Sequence, residues 1–96
     1  MHIAIAKIEA CKTSEDVIAV TNSVIVQARK KSQAFQSMVA PMPVESIGGI
    51  STWLAELRAA TRLRSGKGNG EILALVYAIL RTAVRKIEAI EKQRKH

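Results

Sequence analysis

The sequence predicts an all-α fold, a small three- or four-helix bundle whose neighbouring helices run antiparallel. Apolar residues recur at three- and four-residue steps over most of the 96-residue chain, the period of helices with one face buried. The apolar 48% is mainly aliphatic, because Phe35, Trp53 and Tyr77 are the only aromatic residues, so Ile, Val and Leu must fill the core. Only two prolines punctuate the chain, whereas a sandwich of short strands needs a turn signal about every 8–12 residues. One hydrophobic core, and so one domain over residues 1–96, is the expectation at this length.

Residues 3–11 carry two patterns. Ile3 and Ile5 alternate as in a strand, while Ile5, Ile8 and Cys11 repeat as in a helix, and a short helix is the preferred reading. Thr13, followed three residues later by Asp16, has the form of a helix start: the hydroxyl accepts an orphan amide proton, and Glu15 and Asp16 suit the positive end of the dipole. The helix that follows is expected over residues 14–39. Val17, Val20, Val24, Ala28, Phe35 and Met38 form its inner face, joined by Ile18 and Ile25, with Asn22, Ser23, Arg29, Lys30 and Gln33 toward water. Pro41 and Pro43 end it, since each removes a backbone donor and disfavours helical geometry in the residue before it.

A third helix is read over residues 46–65 from Ile47, Ile50, Leu54, Leu57 and Thr61. Gly48 and Gly49 fall inside it, at about 1 kcal/mol each relative to Ala, so the helix either tolerates them or begins at Ser51. Helical glycines there imply the close approach of a neighbouring backbone. The run Ser65-Gly66-Lys67-Gly68-Asn69-Gly70 is a connection, with Gly66 suited to a C-cap and Asn69 to the next N-cap. The last helix is expected over residues 70–93, with Ile72, Leu73, Val76, Ile79, Leu80, Ala83, Val84, Ile87 and Ile90 on its apolar face. That stripe is wide, and a homodimer would be one way to cover it.

Composition and spacing argue against several function classes. Cys11 is the lone cysteine, so no internal disulfide framework or thiolate cluster can form, which suits a reducing compartment. His2 and His96 stand at opposite ends without ligand-type neighbours at zinc spacing, and no metal or cofactor is expected. Residues 1–10 contain Lys7 and Glu9 and lack the apolar stretch of a signal peptide. No run reaches the ~18 apolar residues of a membrane span. A cytoplasmic protein without a membrane role is the expectation.

Catalysis is not expected either. The Gly66-Lys67-Gly68 loop fails as a phosphate loop, because Thr61 and Gly68 stand where a Walker motif needs Gly and Ser or Thr. No nucleophile, base and orienting acid group together by spacing, and Glu56 and Glu71 are isolated acids. Lys7 and Lys12 would lower the pKa of an exposed Cys11, but a lone Cys on an apolar stripe is more often a small core residue. Trp53, beside Leu54, reads as core rather than as a surface anchor.

The basic residues carry the functional content. Of the net +7, residues 1–48 hold +1 and residues 49–96 hold +6. Arg58, Arg62 and Arg64 cluster on the third helix, Lys67 lies in the loop, and Arg81 and Arg85 stand one turn apart on the last helix. Those two helices meet at the loop, so the six residues form a candidate surface for a protein or a nucleic acid. Guanidinium groups bond bidentately to phosphate or carboxylate alike. The Arg29-Lys30-Lys31 run reads instead as a solvated face, with Lys31 snorkelling past the apolar stripe.

Glu71, Ile72, Leu73, Ala74 and Leu75 open the last helix and cannot read base edges, which excludes a helix-turn-helix. The three aromatics lie in three different segments and give no stacking platform for RNA. The functional expectation is therefore a small basic adaptor or regulator. It binds another macromolecule, a protein first, through the Arg-rich surface and an adjoining apolar groove. Backbone-directed, non-sequence-specific nucleic-acid binding is the second reading.

Overall fold

Residues 2–40, 42–63 and 69–94 are described by a computed structural model, and every regular element among them is helical. In chain order these are α1 (His2–Ala10), α2 (Ser14–Lys31), the single turn α3 (Gln33–Gln36), α4 (Ile47–Leu63) and α5 (Asn69–Arg94). α5 is the hub on which α4, α2 and α1 all pack, with α1 also against α2. It buries Leu73, Val76, Ile79, Leu80, Ala83, Ile87 and Ile90 of the stripe expected for it, while Ile72 and Val84 are half-buried. α4 ends at Leu63 and α5 starts at Asn69, so these packed neighbours run antiparallel. α2 is antiparallel to α5 as well: Val20 to Lys31 lies beside Ile72 to Ile79, while Asp16 and Lys86 face Cys11 at the other end.

The result is a rod-like bundle, 45 × 23 × 20 Å with a radius of gyration of 13.1 Å, against about 12.5 Å for a compact chain of this length. α5 sets the long axis, since 26 residues at 1.5 Å each span about 39 Å.

The start of α2 forms as its sequence dictates. Thr13 is extended at φ −129° and ψ 156°, and its Oγ1 accepts from the Asp16 amide at 3.2 Å. The end does not. The continuous helix expected over residues 14–39 stops at Lys31, because Ser32 takes an extended conformation (φ −134°, ψ 122°). The Ser32 amide still closes α2 by donating to Ala28 O at 3.0 Å, while its hydroxyl accepts from Phe35 N at 3.3 Å and caps α3. One buried serine thus ends one helix and starts the next. The turn swings Phe35 onto α4, where its ring stacks on Trp53 at 5.2 Å and 11° between planes. Both rings are fully buried, as expected for Trp53.

The inner face of α2 is also rotated from the expected one. Val17, Thr21, Ile25 and Ala28 are buried, whereas Val20 and Val24 are only half-buried. Thr21 is tolerated inside because its hydroxyl donates to Val17 O at 2.8 Å, leaving no unpaired polar group.

The connector between α3 and α4 is held by side chains of α2 and α4. Asn22, expected toward water, donates from Nδ2 to Val44 O at 3.0 Å and accepts at Oδ1 from Val44 N at 2.8 Å. Glu56 Oε1 accepts from Val39 N at 3.4 Å. Both glycines are helical, in the first turn of α4. A Cβ on Gly49 would stand 3.1 Å from Val44 Cγ1 and 3.8 Å from Val44 Cα, so the close neighbour is chiefly a side chain rather than the expected backbone. At Gly48 the nearest atom is Ser46 Oγ at 3.5 Å, ordinary contact.

Candidate functional site

Of the six basic residues expected to form a binding surface, Arg58, Arg81 and Arg85 have described side chains, and all three are exposed. Arg62 lies on α4 with its side chain outside the described residues, and Arg64 and Lys67 lie outside them altogether. On α5 the two arginines share a face with Ala74, Ala78 and Ala89, all exposed. Such small neighbours leave the guanidinium groups standing above a low surface. Glu88, also exposed, follows Arg85 by three residues and supplies a carboxylate on the same side.

Arg58 lies on α4 five residues before its end and Arg81 on α5 twelve after its start. Arg85 is about 6 Å further on.

The Arg29-Lys30-Lys31 run divides. Lys30 and Lys31 are exposed and end α2 favourably for its dipole. Arg29 departs from the expected solvated role. Its Nη2 donates to Met38 O at 3.0 Å, and its guanidinium carbon lies 5.6 Å from the centroid of the Trp53 ring. Gln36 Nε2 in turn donates to Arg29 O at 2.7 Å. Arg29 is a tie between α2, α3 and α4.

Cys11 is half-buried against the core and its Sγ donates to Lys7 O at 3.1 Å. Burial pushes its thiol pKa above the ordinary value and the Asp16 carboxylate adds to this, with Lys86 acting in the opposite sense. Activation by Lys7 and Lys12 is therefore not what this thiol experiences, and the raised pKa leaves less thiolate at neutral pH.

A second feature has no counterpart in the linear sequence. Along the seam of α2 and α5, beyond the short α1, lies an open trough of about 680 Å³. Ala28, Val76 and Ile79 form its buried floor, and the half-buried Val20, Val24, Ile72 and Leu75 form its apolar walls. Ile3, 67% exposed, and Ala4 close one end. Lys7 and Lys31 are the only charged residues among the described ones lining it, and Ser23 and Gln27 add polar groups.

No family model, curated protein or solved structure matches this chain. Among the described residues no helix is long and apolar enough to cross a membrane.

Proposed function

We propose that this chain is a small basic adaptor or regulator that binds a protein partner, using the apolar trough together with the arginine strip of α4 and α5, rather than an enzyme. The observation that carries the reading is the trough. Val20, Val24, Ile72 and Leu75 pack against the core and stay part-exposed side by side along it, and an apolar groove with a few polar groups at its edge is the usual form of a binding site. Arg58, Arg81 and Arg85 support it as exposed groups suited to carboxylates.

The exposed arginines also favour a second reading, contact with a nucleic-acid backbone, because guanidinium groups bond phosphate as readily as carboxylate. The two readings separate by salt dependence. Arg81→Gln with Arg85→Gln changes two exposed side chains and is expected to alter stability by no more than about 0.5 kcal/mol per site. Partner capture from lysate, with and without nuclease, is expected to fall in this variant and to survive nuclease treatment. Loss of all capture after nuclease, with a salt slope that flattens by nearly one unit per arginine removed, would transfer the function to nucleic acid. Lys12→Gln with Lys30→Gln is the charge control, since both lysines are exposed. Arg29 is unsuitable because it holds Met38 and Trp53. Equal loss in the control would reduce the effect to diffuse net charge.

A further inference from the structure

We infer that the trough between α2 and α5 receives an amphipathic helix from a partner protein, with acidic residues flanking its apolar face; this rests on the protein-binding reading above and names the chemistry of the partner. Two features of the trough select that occupant. The first is its shape. α1 lies on α2 and α5, but reaches the trough only with Ile3, Ala4 and Lys7. Beyond Ile3 no other described element lines the seam. Its wall on α2 runs from Val20 to Lys31, about 16 Å or three helical turns. The site is therefore the unfilled continuation of a position that already holds a helix. Its walls are helical ridges: Val20, Val24, Gln27 and Lys31 on one side, Ile72, Leu75 and Ile79 on the other. Ridges of this spacing accept side chains at i, i+3, i+4 and i+7 of a third helix.

The second feature is charge. Lys7 and Lys31 are both exposed, and among the described residues no carboxylate lines the trough. Acidic groups beside the apolar stripe of a bound helix would meet these two ammonium groups while its apolar residues fill the floor. A second copy of this chain is the poorer occupant. Pairing the trough with itself about a two-fold axis would set Lys7 and Lys31 of one copy against those of the other, with no acid among the described lining residues to offset them. The net charge of +7 adds to that repulsion.

The test uses the full chain and two dye-labelled synthetic helices of about 14 residues, long enough for the ~1.5 Å rise per residue to cover the trough. Both carry Leu at i, i+3, i+4 and i+7; one has Glu flanking the stripe and the other Lys. Fluorescence anisotropy is expected to show saturable binding of the Glu peptide and at least tenfold weaker binding of the Lys peptide. Val24→Glu should abolish binding of the Glu peptide. Lys7→Glu with Lys31→Glu should invert the preference, and both lysines are exposed, so this variant tests the site even if Val24→Glu fails to fold. Lys12→Glu with Lys92→Glu makes the same change in net charge at exposed positions outside the trough lining and should leave the preference as it was. An equal shift in that control overturns the inference, as does a Glu peptide that fails to bind. A concentration-dependent dimer in sedimentation that Val24→Glu dissolves would assign the trough to a second copy and overturn it too. The peptide titration reads the trough alone and the Arg81 and Arg85 variants read the strip, so partner capture that persists without peptide binding rejects this inference while leaving the adaptor reading intact.

Discussion

At the scale of single residues, polar side chains that the sequence marks for solvent turn out to hold the irregular parts of the fold. Asn22 is the clearest case. The connector at Val44 has no helix or strand in which to pair its backbone, and one side-chain amide meets both its N–H and its C=O at 2.8 and 3.0 Å. Val44 is buried at 2% exposure, so removing the amide strands both groups away from water. Asn22→Ala is expected to destabilise the protein by about 1–3 kcal/mol, the desolvation penalty of unpaired groups. The exposed neighbour Ser23→Ala should stay within about 0.5 kcal/mol. Urea denaturation of the two variants checks this, and equal stabilities would show that Asn22 does not hold the connector. Neither Asn22 nor Arg29 is legible from sequence, because their partners Val44, Met38 and Trp53 lie outside α2 and are brought near by the turn at Ser32.

At the scale of elements, Gly48 and Gly49 sit side by side in the first turn of α4 and yet should respond to alanine in opposite directions. Gly48 meets nothing closer than Ser46 Oγ at 3.5 Å, so Gly48→Ala gains helix propensity and is expected to stabilise by up to about 1 kcal/mol. A Cβ at Gly49 would press on Val44 Cγ1 at 3.1 Å. Val44 cannot retreat easily, being buried and hydrogen-bonded through both backbone groups to Asn22. Gly49→Ala is expected to lower the melting temperature and Gly48→Ala to raise it; a rise in both would mean that Val44 gives way. Helix α5 was legible from its period and the start of α2 from its capping residue. The end of α2 was not, since Phe35 and Met38 continue the helical spacing past Ser32 while the chain turns to stack Phe35 on Trp53. The rotation of its inner face was hidden by Thr21, which counts as polar in a pattern but pairs its hydroxyl within its own helix. The exposed arginines of the candidate site follow from sequence, whereas the trough arises from α1 being shorter than the seam it covers.

At the scale of the whole molecule, aliphatic side chains divide into those that hold the bundle together and those that line the trough, and truncation separates the two sets. Leu80 is fully buried on α5, the helix against which α1, α2 and α4 all pack. Leu80→Ala removes apolar contacts and leaves a cavity that the surrounding helices can only partly close, at an expected cost of about 2–5 kcal/mol. For a chain of this length each kcal/mol moves the melting temperature by roughly 4–8 °C, so the loss should exceed about 8 °C. Val24 is also aliphatic and on an apolar stripe, but it is half-buried and opens into the trough. Truncation there leaves no enclosed cavity and removes a group already partly in water, so Val24→Ala should cost less than about 1 kcal/mol. Thermal melts of the two variants by circular dichroism at 222 nm would read the difference directly. If Val24→Ala destabilises as much as Leu80→Ala, the trough is part of the core and its apolar walls have no surplus surface to offer a partner.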